Sequence, residues 1–270
     1  MIFDTHAHLN FSEFDKDREE LIKKCLDSKI GIINVGTNFK SSEKAINISK
    51  EYAHVFTSIG LHPTSIASDY FKSKECSKAE EGLLENGFDY EAYKELAKSK
   101  KVVAIGECGL DYYYRPKGTT KKELFKEEQR KVFIKQLDLA EELNLPVIIH
   151  CRSAFDDVFE ILSKRKIKGV LHCFTGTKEE AERFLSLGFY FGINGIIFKT
   201  DLEEAIKVIP MDKILLETDC PYLSPPMFKE RNNPLSLKYV IEEISRIKGV
   251  SVKEVEEITY KNSKDLFKLS

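Results

Sequence analysis

No charged leader followed by a long apolar stretch opens the chain, which begins Met1-Ile2-Phe3-Asp4. Nor does any run approach the ~18 consecutive apolar residues expected of a membrane-spanning helix. Both absences predict an intracellular protein, cytoplasmic, nuclear or both, with no membrane association. None of the six cysteines stands in a Cys-x-x-Cys pair, so free thiols in a reducing compartment are expected. Glycine and proline are scarce, 14 and 8 of 270 residues. No low-complexity linker or domain boundary is therefore expected, and residues 1–270 read as one domain. An excess of positive charge is also missing. The net charge is -2 and the pI about 6.4, whereas a duplex-wrapping domain is usually basic, with a pI above ~9. Any contact with nucleic acid must be local, or draw its positive charge from bound metal.

What is present is alternation. Short apolar, β-branched runs are separated by amphipathic, Lys/Glu-rich segments. The runs predict strands near Ile2–Asp4, Gly31–Gly36, Val55–Gly60, Val102–Glu107, Val147–His150, Gly169–His172, Phe189–Gly192 and Ile214–Asp219. The clearest helix is Glu123–Leu143, where Phe125, Phe133, Leu137 and Ala140 keep helical spacing. Thr177 and Glu180 form a capping-box pattern before another. Eight strand–helix units with short loops predict parallel strands and closure into a (β/α)₈ TIM barrel of the α/β class, with extra helix near Leu235–Ile247 and Val252–Phe267. A doubly wound open sheet is the rival, but its Gly-rich first turn is missing. Ser65–Asp89 does not fit the repeat and reads as an extended loop.

Six potential metal ligands stand at the ends of these strands: His6, His8, Glu107, His150, His172 and Asp219. A single strand-end histidine is usually structural. Here, however, four of the six histidines occupy such positions, and in a barrel those ends share one rim. Four imidazoles and two carboxylates suit Zn²⁺, Mn²⁺ or a similar divalent ion. They exceed the ligands of one catalytic zinc and suffice for two ions, with Glu107 placed to bridge. Cys108, Cys151, Cys173 and Cys220 each follow a proposed ligand, so alternation turns them to the other face, where they read as packing residues.

The segments Asp4-Thr5-His6-Ala7-His8-Leu9, Ile59-Gly60-Leu61-His62-Pro63, Ala104–Tyr112, Leu145–Arg152, Leu171–Gly176 and Leu216–Leu223 together resemble the TatD family of metal-dependent nucleases. The resemblance spans nearly the whole chain. It implies that His6, His8 and Asp219 hold one divalent ion (Zn, Mg or Mn), that His150 and His172 hold a second, and that Glu107 bridges. It also implies hydrolysis of DNA phosphodiesters, as a 3′→5′ exonuclease, on single strands or duplex ends, by a hydroxide activated at the two-metal site. Glu107 and Asp219 would be the catalytic carboxylates. His62 and Arg152 are candidate substrate contacts, and Tyr112, Tyr113 and Tyr114 could stack on bases, with packing the expected role for at least two of them. Asp111 is expected to shape the loop rather than bind metal. One departure is Asn233 in Arg231-Asn232-Asn233-Pro234, where the family commonly has Glu. Two alternatives stand beside the nuclease reading: an ester hydrolase acting on D-aminoacyl-tRNA, and a non-catalytic metal-binding protein. No obligate protein partner is evident.

Overall fold

A computed structural model describes residues 1–66, 87–113, 116 and 118–269. Most of the Ser65–Asp89 segment, and Tyr114, lie outside the described residues. Eight parallel strands run β1 (Ile2–Ala7), β2 (Ile30–Val35), β3 (Val55–Ile59), β4 (Val102–Asp111), β5 (Val147–Arg152), β6 (Gly169–Leu171), β7 (Tyr190–Ile193) and β8 (Ile214–Leu216). Their order in the sheet is their order in the chain. Between successive strands lie α1 (Arg18–Asp27), α2 (Phe39–Lys50), α3 (Tyr90–Leu96), α4 (Thr119–Leu143), α5 (Phe155–Leu162), α6 (Lys178–Ser186) and α7 (Glu203–Val208), and α8 (Leu237–Lys248) and α9 (Val252–Phe267) follow the last strand.

Local chemistry explains several boundaries. Thr177 and Glu180 cap α6 reciprocally, each side chain accepting from the other's backbone N–H. The long helix α4 starts at Thr119, one turn earlier than its apolar spacing predicts, and stops where Asn144 takes the left-handed conformation before Pro146.

The barrel closes at the β1–β8 seam. Asp219 N–H donates to His6 O at 2.8 Å and His8 N–H to Cys220 O at 3.0 Å. Below these, side chains stand in for the ladder. Asp4 accepts the Thr218 backbone N–H at 3.0 Å and the Thr218 hydroxyl at 2.6 Å, and Thr5 Oγ1 donates to Leu216 O at 3.0 Å. Burial pushes the Asp4 carboxyl up to about 7, against the pull of those donors. This closure rules out the open-sheet rival.

Strand alternation sorts the apolar residues into two layers. Ile32, Ile149, Leu216 and the thiols of Cys108, Cys151 and Cys220 belong to the layer between sheet and helices. Phe3, Ile33, Phe56, Ile148, Val170 and Leu215 fill the barrel itself. Leu266, Phe267 and Leu269 join that inner cluster, and Tyr260 stacks on Phe3 with ring centroids 5.9 Å apart. Asn262 Nδ2 donates to Met211 O and Ile214 O at 2.8 Å, which fixes α9 at the N-terminal ends of the strands. The extra C-terminal helix is therefore the plug of the barrel.

Candidate metal centre

The inner apolar layer is the floor of the site. Two residues beyond Ile148 on the same face stands His150; two beyond Val170 stands His172; beyond Leu215 come Glu217 and then Asp219. Two placements differ from the sequence-based expectation. His6 lies inside β1 rather than after it, because the strand continues to Ala7. Glu107 lies in the middle of β4, which continues to Asp111. Asp219 lies beyond β8 with φ +55, its N–H tied to His6. The six expected side chains nevertheless converge.

Glu107 is the hub. Its Oε2 lies 3.3 Å from His6 Nε2 and 3.7 Å from His8 Nε2. Its Oε1 lies 2.9 Å from His150 Nδ1, 3.3 Å from His62 Nε2 and 3.5 Å from His172 Nε2. Asp219 Oδ1 completes the first group, 3.4 Å from His8 Nε2 and 3.8 Å from His6 Nε2. Ligands held ~2.1 Å from a tetrahedral ion are spaced about 3.4 Å from one another, so these separations suit a shared cation. Oxygen and imidazole donors, with no thiolate, suit Zn²⁺ or Mn²⁺.

The remaining ring nitrogens set the direction of each imidazole. His8 Nδ1 pairs with Val35 O at 3.0 Å, His172 Nδ1 with Glu217 Oε1 at 3.0 Å, and His150 Nε2 with Asp111 Oδ2 at 3.1 Å. Each acceptor takes the proton of the outward nitrogen, so the nitrogen facing Glu107 is the one that would ligate a cation after giving up its own proton. His6 Nδ1 is buried without a partner. His62 is wired the other way. Its Nδ1 accepts the Thr64 backbone N–H at 3.1 Å, so a neutral His62 carries its proton on Nε2, the nitrogen facing Glu107. It sits with Glu107 and His150 in a group close enough for a cation, but a protonated nitrogen donates a hydrogen bond and cannot ligate. Burial, partly opposed by Glu107, lowers its pKa and favours that neutral form.

The charges are mutually supporting. Burial works against the Glu107 anion, yet His62, His172 and His6 hold its carboxyl well below the usual range. Asp219 is also lowered against burial, by its bond to His8 and the neighbouring imidazoles. Burial opposes charge on His150, but Asp111 and Glu107 raise it to about 9. His172 is carried to about 10 against burial, by Glu217 and Glu107. His6, stacked on His172 at 3.6 Å, is lowered by burial and then by that neighbour.

Asp111 and Glu217 are the functional positions that sequence reasoning undervalued. Alternation could have found both, since Asp111 is four residues past Glu107 and Glu217 two before Asp219. Asp111 shapes the loop as expected, its Oδ1 accepting the Tyr113 N–H at 2.9 Å, and holds His150 with the other oxygen. Glu217 needs its neighbour Gly192: a Cβ there would sit 2.1 Å from Glu217 Oε2. Cys173 is not the packing residue that alternation predicts, because its backbone is left-handed (φ +45) and it lines the pocket. The pocket is about 490 Å³ and includes Arg152 and His62 in its walls. Asn233 is not among the residues lining it; it caps the turn Pro234–Ser236 by accepting from Leu235 N–H at 3.0 Å. Asn232 holds the loop behind Asp219, donating to Thr218 O at 3.0 Å.

A closed parallel barrel carrying this cluster at the C-terminal ends of its strands defines a metal-dependent hydrolase. The chain belongs to the TatD family: the family described as TatD related DNase matches residues 3–268. A Bacillus subtilis protein named uncharacterized metal-dependent hydrolase YabD is 38% identical over 278 residues, 100% of each chain. The protein of Escherichia coli K12 named 3′-5′ ssDNA/RNA exonuclease TatD is 34% identical over 279 residues, 98% of each. Among solved structures, the TatD homologue YJJV of E. coli K12 superposes with a TM-score of 0.81 at 25% identity, covering 100% of this chain and 98% of that one. A TatD family hydrolase from Entamoeba histolytica does so with a TM-score of 0.81 at 26% identity, with the same coverage.

Proposed function

We propose that this chain is a deoxyribonuclease that removes nucleotides from a 3′ end, using two divalent cations, Zn²⁺, Mg²⁺ or Mn²⁺, with residues 1–270 acting as one catalytic domain. The observation that carries the reading is the division of Glu107: one oxygen faces His6 and His8, the other faces His150 and His172. On this reading His6, His8 and Asp219 would hold one ion and His150 and His172 the other, with Glu107 able to offer one oxygen to each group. The E. coli relative named as a 3′-5′ exonuclease supports the polarity.

Cations bound here supply the charge that acidifies water near neutral pH and offsets the charge of a phosphodiester. The chain's own groups do the rest. Asp219, the most open of the clustered carboxylates with its side chain 15% exposed, accepts the proton of the attacking water. His62, its donor Nε2–H fixed by Thr64, bonds a phosphate oxygen in place of Glu107 Oε1. Arg152, in the wall of the pocket, pairs with the phosphate charge. The floor of apolar residues keeps bulk water from the underside of the site.

The test is the purified protein with Mg²⁺, Mn²⁺ or Zn²⁺ and end-labelled DNA. Stepwise shortening from the 3′ end, abolished by EDTA and restored by metal, is expected. Cleavage of D-aminoacyl-tRNA with DNA untouched would replace this reading with an ester hydrolase, and the lack of stoichiometric metal would favour a non-catalytic protein.

A further inference from the structure

The buried residues of α4 are apolar except for Gln129 and Gln136. Both are fully buried. They stand two helical turns apart, so they share one face of the helix at a separation of about 10 Å. Each grips the backbone of a single residue at two points. Gln129 Oε1 accepts the Asp111 N–H at 2.8 Å, and its Nε2 donates to Asp111 O at 3.1 Å. Gln136 Oε1 accepts the Leu61 N–H at 2.7 Å, and its Nε2 donates to Leu61 O at 3.0 Å.

The gripped residues lie where two strands run out. The β3–β4 ladder ends at the pair Ile59 and Ile105, short of Leu61, and Asp111 is the last residue of β4. Both are buried, and the helix amides supply partners for their backbone groups. Next to each stands a working group of the centre. Leu61 precedes His62, whose Nε2 lies 3.3 Å from Glu107 Oε1. Asp111 Oδ2 holds His150 Nε2 at 3.1 Å, and His150 Nδ1 lies 2.9 Å from the same Glu107 oxygen. The two rings are adjacent, with centroids 4.4 Å apart. One helix face thus carries the supports of two of the imidazoles that meet Glu107 Oε1. On the Oε2 side, His6 hangs instead from β1 and His8 from the Val35 carbonyl.

A planar amide bound through both of its atoms fixes distance and orientation together, beyond satisfying two buried polar groups. The precision matters, because displacing a reacting group by about 1 Å can cost ~10²-fold in rate. Resting on the two-cation phosphodiesterase reading above, we propose that Gln129 and Gln136 are positioning residues for one half of the centre. Gln129 sets Asp111, and through it the ligand His150. Gln136 sets the backbone that carries His62, the donor to the phosphate.

The experiment compares the full-length wild type with Gln129→Met and Gln136→Met, which keep the side-chain length and remove both bonds. A merely structural role would harm both variants alike, whereas positioning gives them different patterns. In calorimetric titration of the metal-free protein, Gln129→Met should bind one equivalent about 10- to 100-fold more weakly. Gln136→Met should bind metal as the wild type does. On end-labelled DNA at saturating metal, Gln136→Met should lose about 10- to 100-fold in kcat with KM little changed, while Gln129→Met regains most of its rate as metal is raised. Gln129→Glu and Gln136→Glu guard against misfolding. A buried carboxyl that stays protonated keeps one acceptor and one donor in the same places. Each Glu variant should match the wild type at low pH and fall behind it as the pH rises and the donor is lost. Unchanged metal affinity in Gln129→Met, unchanged kcat in Gln136→Met, or one pattern shared by both overturns the positioning role. Where a Met variant does not fold, a ratio of the Glu variant to wild type that stays flat with pH overturns it. If the wild type binds metal but leaves DNA intact, the phosphodiesterase reading fails by itself. The titration then decides: weaker metal binding in Gln129→Met upholds the positioning role, and unchanged affinity ends it.

Discussion

Glu217 Oε1 lies 3.0 Å from His172 Nδ1, and the same oxygen accepts the Cys173 N–H at 2.8 Å and the Asn194 amide at 2.9 Å. A fully buried carboxylate thereby decides which nitrogen of His172 faces the pocket. Replacing Glu217 with Gln keeps the volume but halves the acceptor capacity. Metal affinity should fall about 10- to 100-fold, read by calorimetric titration of the metal-free protein. An unchanged affinity would show that the charge of Glu217 is not needed, since the amide oxygen of Gln can still accept from His172 Nδ1.

Glu107 is expected to be indispensable to both groups of ligands. In Glu107→Ala the purified protein should lose stoichiometric metal and its activity should drop to background. Elemental analysis is the direct measurement. Retention of two equivalents would remove Glu107 from its bridging role.

His62 should separate binding from turnover. Because Thr64 leaves the proton on Nε2, His62→Ala should keep the full metal content while kcat falls about 10²- to 10³-fold, the cost of one donor to a developing charge. His62→Gln, which retains a donor, should recover part of that loss. Should His62→Ala lose one metal equivalent, the residue is a ligand and not a donor.

Phe267 plugs the barrel at the end opposite the site and is 2% exposed. Phe267→Ala should destabilise the fold by about 3–5 kcal/mol, measured by denaturant unfolding. Ligand spacing depends on the other rim, so metal content at low temperature should be unchanged. A loss below ~1 kcal/mol would mean that the plug contributes little beyond surface packing.

Much of the architecture was legible in the chain because its signals are local and periodic. Runs such as Val147–His150 and Gly169–His172 carry strand character in their own residues, and Glu123–Leu143 carries a helical stripe. Eight repeats of strand and helix imply a barrel, and in a barrel the strand ends share a rim. That chain of reasoning was enough to collect His6, His8, Glu107, His150, His172 and Asp219. Boundaries were less legible. β1 and β4 run three to four residues past the runs that announce them, because polar side chains such as His6 and Asp111 are sheltered by the cluster they join.

The order of strands and helices, and the residue types at the rim, were therefore determined by the sequence itself. Only the tertiary structure decided how those residues are wired: that Glu107 divides its oxygens between two groups, that Asp111 and Glu217 orient imidazoles, that His62 presents a proton where its neighbours turn nitrogens that can ligate, and that Tyr113 rather than Tyr112 stands in the open. The reason is physical. Strand and helix periodicity is written in neighbours two to four positions apart, whereas hydrogen bonds such as Glu217–His172 join groups 45 positions apart, and no local pattern records which partner a side chain will meet.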